Sequence, residues 1–226
     1  MEYIKRSLEK IVTQVTTEYP VVLVTGPRQV GKTTMLQKLM EGTNRAYVTL
    51  DDLNERNLAK TDPEMFLQLH KPPVLIDEVQ YAPELFRYIK FILDKSDKKG
   101  QLCLTGSQTY ALMQNVSESL AGRIGILELQ GFSMREKYGI NFLEPFIPDD
   151  VYLKKRSQFL FHYDDVWKDI FTGSMPEMKQ DGIDWELFYR SYVKSYIERD
   201  VRNLMNVKDE SLFYKFMVAL AARTGG

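Results

Sequence analysis

The segment VVLVTGPRQVGKTTML, residues 21–36, constrains the fold more than any other part of the chain. Its first four residues are β-branched or aliphatic without alternation, which reads as a strand buried on both faces. The strand runs into Gly26-Pro27-Arg28-Gln29-Val30-Gly31-Lys32-Thr33, two glycines with four residues between them followed by Lys-Thr. A chance match in a chain of this length arises about one time in a hundred at ordinary residue frequencies, and the setting between a strand and a helix narrows that further. Amide hydrogens of a loop that opens a helix converge on the helix's positive end, where a phosphate group is stabilised. The glycines allow a close approach that a Cβ would block, Lys32 reaches the β and γ phosphates, and Thr33 offers a hydroxyl to magnesium. Thr34 offers its hydroxyl or amide to the α phosphate. The residues from Gly26 to Thr34 therefore read as a nucleotide polyphosphate site, against the blander alternative of a strand-turn-helix with a snorkelling lysine.

Further apolar runs at 45–50, 74–76, 102–105 and 124–129 alternate with helical patterns at 33–40, 63–69, 85–93 and 110–120, and another helix is expected over 4–15. Strands alternating with helices, each strand apolar without period two, predict an α/β fold with a parallel sheet covered on both faces. From Gly131 the pattern changes. A short helix is expected over 133–138, a proline-rich acidic stretch lies at 144–150, and a long amphipathic helix is expected over 185–205. A last helical pattern covers 212–222 before Gly225-Gly226, an ending that reads as a cut. The expected division is a nucleotide-binding unit at 1–140 and, at 141–226, a linker with the helical start of a second, incomplete unit.

A chain of 226 residues can bury roughly 70% of its unfolded surface, and 44% hydrophobic with 27% charged residues is ordinary globular composition. Thirty basic residues against thirty-one acidic give a net charge of −1, so no overall field favours nucleic acid. Lys154-Lys155-Arg156 and Lys98-Lys99 are the local basic groups a nucleic acid would meet; both are more often solvated faces. The charged amino terminus and the lack of any run of 18 apolar residues lead to the expectation of a cytoplasmic protein with no membrane contact. Cys103 reads as a small core residue, and His70 and His162 have no ligand-like spacing.

Val74-Leu75-Ile76 delivers Asp77 and Glu78 to a sheet edge. Asp77 there suits the water ligands of magnesium, and Glu78 suits a base that orients and deprotonates an attacking water. Two solvated acids at a strand end are the alternative. Ser107, at the end of the 102–105 strand, is a candidate for sensing the γ phosphate or the attacking water, or a plain strand-ending turn. Arg123 leads into the strand at 124–129, at a sheet edge where phosphates would lie. It reads as an arginine for the transferring phosphate, acting within its own subunit or across an interface, or as half of a surface salt bridge.

Together GPRQVGKTT, VLIDEVQ, LTGSQ, SLAGR, FSMRE, FTGSMPEM and YIERDVRNL resemble the AAA-type P-loop ATPases of prokaryotes, within the AAA+ superfamily, that carry an uncharacterised carboxy-terminal domain. The resemblance implies a RecA-like three-layer core with five parallel strands in the order 5-1-4-3-2, binding ATP with Mg2+, and a chain that normally runs on into a winged-helix-like region. It also raises the prospect of Arg6 or the Tyr3 region lying near the base. The reading that follows is a magnesium-dependent ATP hydrolase acting as a conformational switch. The alternatives are a nucleotide-gated interaction module with little turnover and, behind it, a small-molecule kinase, which would need an acceptor pocket and an arginine-rich lid. Self-association or a protein partner is expected ahead of nucleic acid.

Overall fold

The computed structural model describes residues 3–96, 98–107, 110–140, 142, 144–159, 163–180, 182–196 and 210–224. Gln108, His162 and the 197–205 part of the expected long helix lie outside the described residues. Strands β1 (Val21–Thr25), β2 (Ala46–Thr49), β3 (Val74–Asp77), β4 (Leu102–Thr105) and β5 (Ile124–Glu128) form one sheet in the order β2-β3-β4-β1-β5. Every pairing is parallel. This is the expected order 5-1-4-3-2, read from the other edge.

Helices fill both faces: α1 (Glu9–Glu18), α2 (Lys32–Met40), α3 (Leu53–Thr61), α4 (Pro63–Leu69), α5 (Glu84–Leu93) and α6 (Tyr110–Leu120). The layering follows from the uniform apolarity of β1. Val21 and Leu23 pack with Phe66, Phe86 and Ile89 of α4 and α5 on one face. Val22 and Val24 pack with Val12, Met35 and Leu36 of α1 and α2 on the other, where Cys103 is also buried. The edge strands are less covered than expected, with Tyr47 on β2 and Ile126 on β5 exposed. Helix α3 is absent from the sequence expectations because LNERNLAKT has too few apolar positions for a stripe. Its start is fixed locally, by the Asp52 carboxylate accepting from the Asn54 and Glu55 amides at 2.8 and 3.1 Å.

Beyond β5 the chain forms α7 (Met134–Lys137), α8 (Asp150–Arg156), α9 (Tyr163–Thr172), α10 (Trp185–Tyr196) and α11 (Glu210–Arg223). No helix among the described residues is long and apolar enough to cross a membrane. The FSMRE segment makes a capping box, with the Ser133 hydroxyl accepting from the Glu136 amide and Glu136 accepting from the Ser133 amide. Glu136 also accepts from the Ser7 amide at 2.6 Å and lies 3.3 Å from Arg6 Nε. The buried Arg6 guanidinium donates to the carbonyls of Val30 at 2.8 Å and Gln130 at 2.6 Å. It therefore joins the amino-terminal segment, the glycine loop and the exit of β5. The FTGSMPEM segment docks on the same exit, where the Phe132 amide donates to the Ser174 carbonyl at 2.6 Å. Helix α9 adds Asp169, which accepts from Lys137 and, at 2.6 Å, from the Tyr138 hydroxyl.

Burial alone would raise the Glu136 carboxyl; the Ser133 and Ser7 amides and then Arg6 outweigh it and hold it below its ordinary value of 4.5. A carboxylate lowered on folding adds stability above its unfolded value, and that stability is lost as pH falls through the folded one. Replacing Glu136 with Gln is expected to destabilise the chain near neutrality by about 1–3 kcal/mol and to flatten the loss of stability below pH about 4.5. Urea unfolding at a series of pH values measures both effects.

Candidate nucleotide-binding site

The loop between β1 and α2 takes its shape from the two glycines. Gly26 has φ 137°, and a Cβ there would stand 2.1 Å from the Leu129 carbonyl oxygen. Gly31 has φ 88° and begins α2 without a side-chain cap, so the first amides of the helix are presented to the loop's own concavity. Lys32 is buried and lies across the loop, donating to the carbonyls of Gly26 at 3.0 Å and Pro27 at 2.8 Å. Val30 puts its side chain into the core, which anchors the loop from beneath.

Beside the loop, the Thr33 hydroxyl donates to Asp77 Oδ1 at 2.7 Å. The same oxygen accepts from the Thr105 hydroxyl, and Tyr47 donates to Asp77 Oδ2 at 3.3 Å. Burial, then the Asp77 carboxylate, push the Tyr47 phenol upward, which keeps it a donor. Thr105 also accepts the Glu78 amide at 3.1 Å. A threonine hydroxyl against a carboxylate is a set of hard oxygen donors, the kind that suits Mg2+, so the residues present fit that ion. A cavity of about 620 Å³ opens above them, with Arg28, Gln29, Gly31, Lys32, Thr33 and Thr34 on one side and Glu78 beside them. Its volume is within the range of small-molecule sites. The opposite wall is Tyr192, Ser195 and Tyr196 of α10, and the Tyr192 hydroxyl donates to the Arg28 carbonyl at 3.5 Å.

The structure thus brings Gly26 to Thr34, Asp77 and Glu78 together. Ser107 is buried at the end of β4, and its Oγ has no hydrogen-bond partner among the described residues. The expectation for Arg123 is corrected. Its carbonyl accepts from the Val21 amide at 3.4 Å, at the start of β1, whereas the glycine loop follows the end of β1. In a parallel sheet these are opposite edges. Arg123 is half exposed there and pairs with Asp94 at 2.6 Å, so it does not stand at a phosphate bound by its own chain. Arg6 holds the loop through the Val30 carbonyl.

Sequence reasoning missed Thr105, Tyr47 and the α10 wall. Thr105 ends an apolar run whose neighbour Ser107 drew the attention, and its pairing with Asp77 depends on β3 and β4 being adjacent. Tyr47 and Tyr192 reach the site through sheet order and helix packing, for which the local sequence carries no signal.

A parallel sheet in this order, a glycine loop joining β1 to α2 and an acidic residue ending β3, one strand removed from β1, define a RecA-like P-loop nucleoside triphosphatase fold. The family described as AAA domain matches residues 18–138, more than half of the chain, and the chain belongs to that family of AAA-type P-loop ATPases. Membership implies nucleotide binding. Residues 163–226 match a second family, Domain of unknown function (DUF8612). Uncharacterized proteins of Mycobacterium bovis and Mycobacterium tuberculosis, Mb2031c and Rv2008c, are each 36% identical over 118 residues, 52% of this chain and 26% of theirs. The chain thus spans about a quarter of the length of these curated relatives. Among solved structures, the Walker-type ATPase paby2304 of Pyrococcus abyssi superposes with a TM-score of 0.54 at 15% identity, covering 94% of this chain and 77% of that one, a likeness of fold.

The position of Thr105 makes a test of the site's architecture. Thr105→Val keeps the shape but leaves buried oxygens and the Glu78 amide short of a partner, and is expected to destabilise the chain by about 1–3 kcal/mol. Thr105→Ser is expected to retain most of that stability. Equilibrium urea unfolding of the two variants beside the parent distinguishes them.

Proposed function

We propose that the chain binds ATP with magnesium, hydrolyses it, and uses the difference between the two nucleotide states to reposition its carboxy-terminal helices. The observation that carries the reading is the Thr33–Asp77 hydrogen bond at a cavity walled by the glycine loop and Glu78 on one side and by α10 on the other. Magnesium, when bound, would neutralise charge on the phosphate oxygens. Thr33 would serve as its direct ligand and Asp77 would hold its waters. Lys32 exchanges the Gly26 and Pro27 carbonyls for phosphate oxygens, which presents its charge at the β and γ positions. Glu78 takes the proton of the attacking water, and the buried Ser107 hydroxyl donates to the γ phosphate.

The switch follows from the position of α10. Tyr192 and Ser195 line the same cavity as the glycine loop, so a change on hydrolysis in what the cavity holds would change what α10 rests on. In this reading residues 1–140 are the ATP-binding unit, and 141–226 transmit its state to a second copy of the chain or to a protein partner in the cytoplasm. A second reading, a nucleotide-gated module with little turnover, draws on the place of Arg123. Among the described residues Arg28 is the one arginine lining the cavity, so fast turnover would call for a further arginine brought to the site from elsewhere in the chain or from a partner.

Magnesium-dependent phosphate release from ATP separates the two readings. Release by the parent is expected to fall about 10²–10⁴-fold in Glu78→Gln while ATP binding, followed by fluorescence titration, persists. Lys32→Ala is expected to lose both. ATP binding without release at any protein concentration supports the gated module and contradicts hydrolysis by this chain.

A further inference from the structure

We infer that Gln80 is a catalytic residue for hydrolysis at this site: it fixes one oxygen of the Glu78 carboxylate and accepts a hydrogen from the attacking water. The inference rests on the hydrolytic reading above. Glu78 leaves β3 in the left-handed backbone region, at φ 57° and ψ 43°, a conformation that is uncommon for a residue with a side chain and concentrates at functional sites. Its amide is held there by the Thr105 hydroxyl. The turn brings the side chain two residues on back against it, so that Gln80 Nε2 donates to Glu78 Oε2. Turning the carboxamide over would set a carbonyl oxygen against a carboxylate, so charge fixes which end faces Glu78.

The other end of the carboxamide is the telling one. Gln80 Oε1 is buried without a hydrogen-bond partner among the described residues, as is Ser107 Oγ. Buried polar atoms of this kind are few in native proteins and each calls for a cause. Here the two flank one residue: a Cβ on Gly106 would stand 2.8 Å from Gln80 Oε1 and 2.9 Å from Leu112 Cδ2. The carboxamide therefore lies close against the backbone at position 106, one residue from Ser107, and Glu78 itself lines the cavity. A carboxylate, an amide oxygen and a hydroxyl gather where β3 and β4 end, next to the loop that would hold the phosphates.

In the step itself, the water oxygen forms a bond to the γ phosphorus as the bond from that phosphorus to the bridging oxygen breaks, its electron pair leaving with ADP. One water proton passes to the free oxygen of Glu78. The second hydrogen is donated to Gln80 Oε1, which points the water's lone pair at phosphorus. Gln80 gives up and takes no proton.

The test compares phosphate release, ATP affinity and melting temperature for the parent, Gln80→Met, Gly106→Ala, Glu78→Gln and the double variant at 78 and 80. Gln80→Met is expected to lower kcat about 10²-fold, the scale of a small misplacement at a reacting centre, with ATP affinity and melting temperature retained. Gly106→Ala, which displaces the carboxamide without removing it, is expected to lower kcat in the same way. The double variant is expected to be no slower than Glu78→Gln alone, because the two side chains hold one water as a unit and its orientation is of no use without the carboxylate that takes its proton. Faster or unchanged turnover in Gln80→Met overturns the inference, as does a loss of affinity in step with rate, or effects at 78 and 80 that multiply. A parent that releases no phosphate defeats the hydrolytic reading and this inference with it; an active parent indifferent to Gln80 defeats this inference alone.

Discussion

The carboxylate of Asp77 ties four parts of the fold to one point. It accepts from Thr33 at the start of α2, from Thr105 at the end of β4 and from Tyr47 on β2, while standing at the end of β3. A buried carboxylate is costly unless its oxygens are hydrogen-bonded, so the sheet, the glycine loop and the first turn of α2 are held in one mutual arrangement by the need to satisfy it. Two of the three hydroxyls, those of Tyr47 and Thr105, come from strands placed by parallel pairing on either side of β3, and the third from the helix that opens after the glycine loop. A metal drawn to the same oxygens would meet donors already gathered.

The opposite side of the cavity is joined by longer routes. Arg6 links the glycine loop to the exit of β5, Glu136 ties that strut to α7, and the 171–178 segment rests on the same exit through the Ser174 carbonyl. Helix α10 then returns to the loop, where Tyr192 meets the Arg28 carbonyl. The 163–226 segment matched by a family of unknown function thus contributes part of the wall of the nucleotide cavity. The hydrogen bond at Tyr192, 3.5 Å, is longer than the 2.7 Å one between Thr33 and Asp77 on the other side of the cavity.

Much of this was legible in the order of residues. Uniform apolarity of residues 21–24 announced a strand with two covered faces, and the glycine spacing after it announced a loop that curls around an anion. Arg123 was misplaced although the sequence held the answer. Residues that follow parallel strands share one edge and residues that precede them share the other, and Arg123 precedes its strand. What the sequence could not carry were contacts made by adjacency. Thr105 and Tyr47 reach Asp77 only because β4 and β2 flank β3, and α3 formed from an aspartate cap on a segment with little apolar pattern.

Thr33 and Asp77 are proposed to hold magnesium for ATP at the glycine loop. Calorimetric titration of ATP into the parent and into Asp77→Asn, each with magnesium and with EDTA, tests it most directly. Magnesium is expected to tighten ATP binding by the parent about tenfold or more, the scale of one charge-assisted interaction, and Asp77→Asn to abolish most of the difference. Equal affinity with and without magnesium in the parent, or the same magnesium effect in Asp77→Asn, would contradict it.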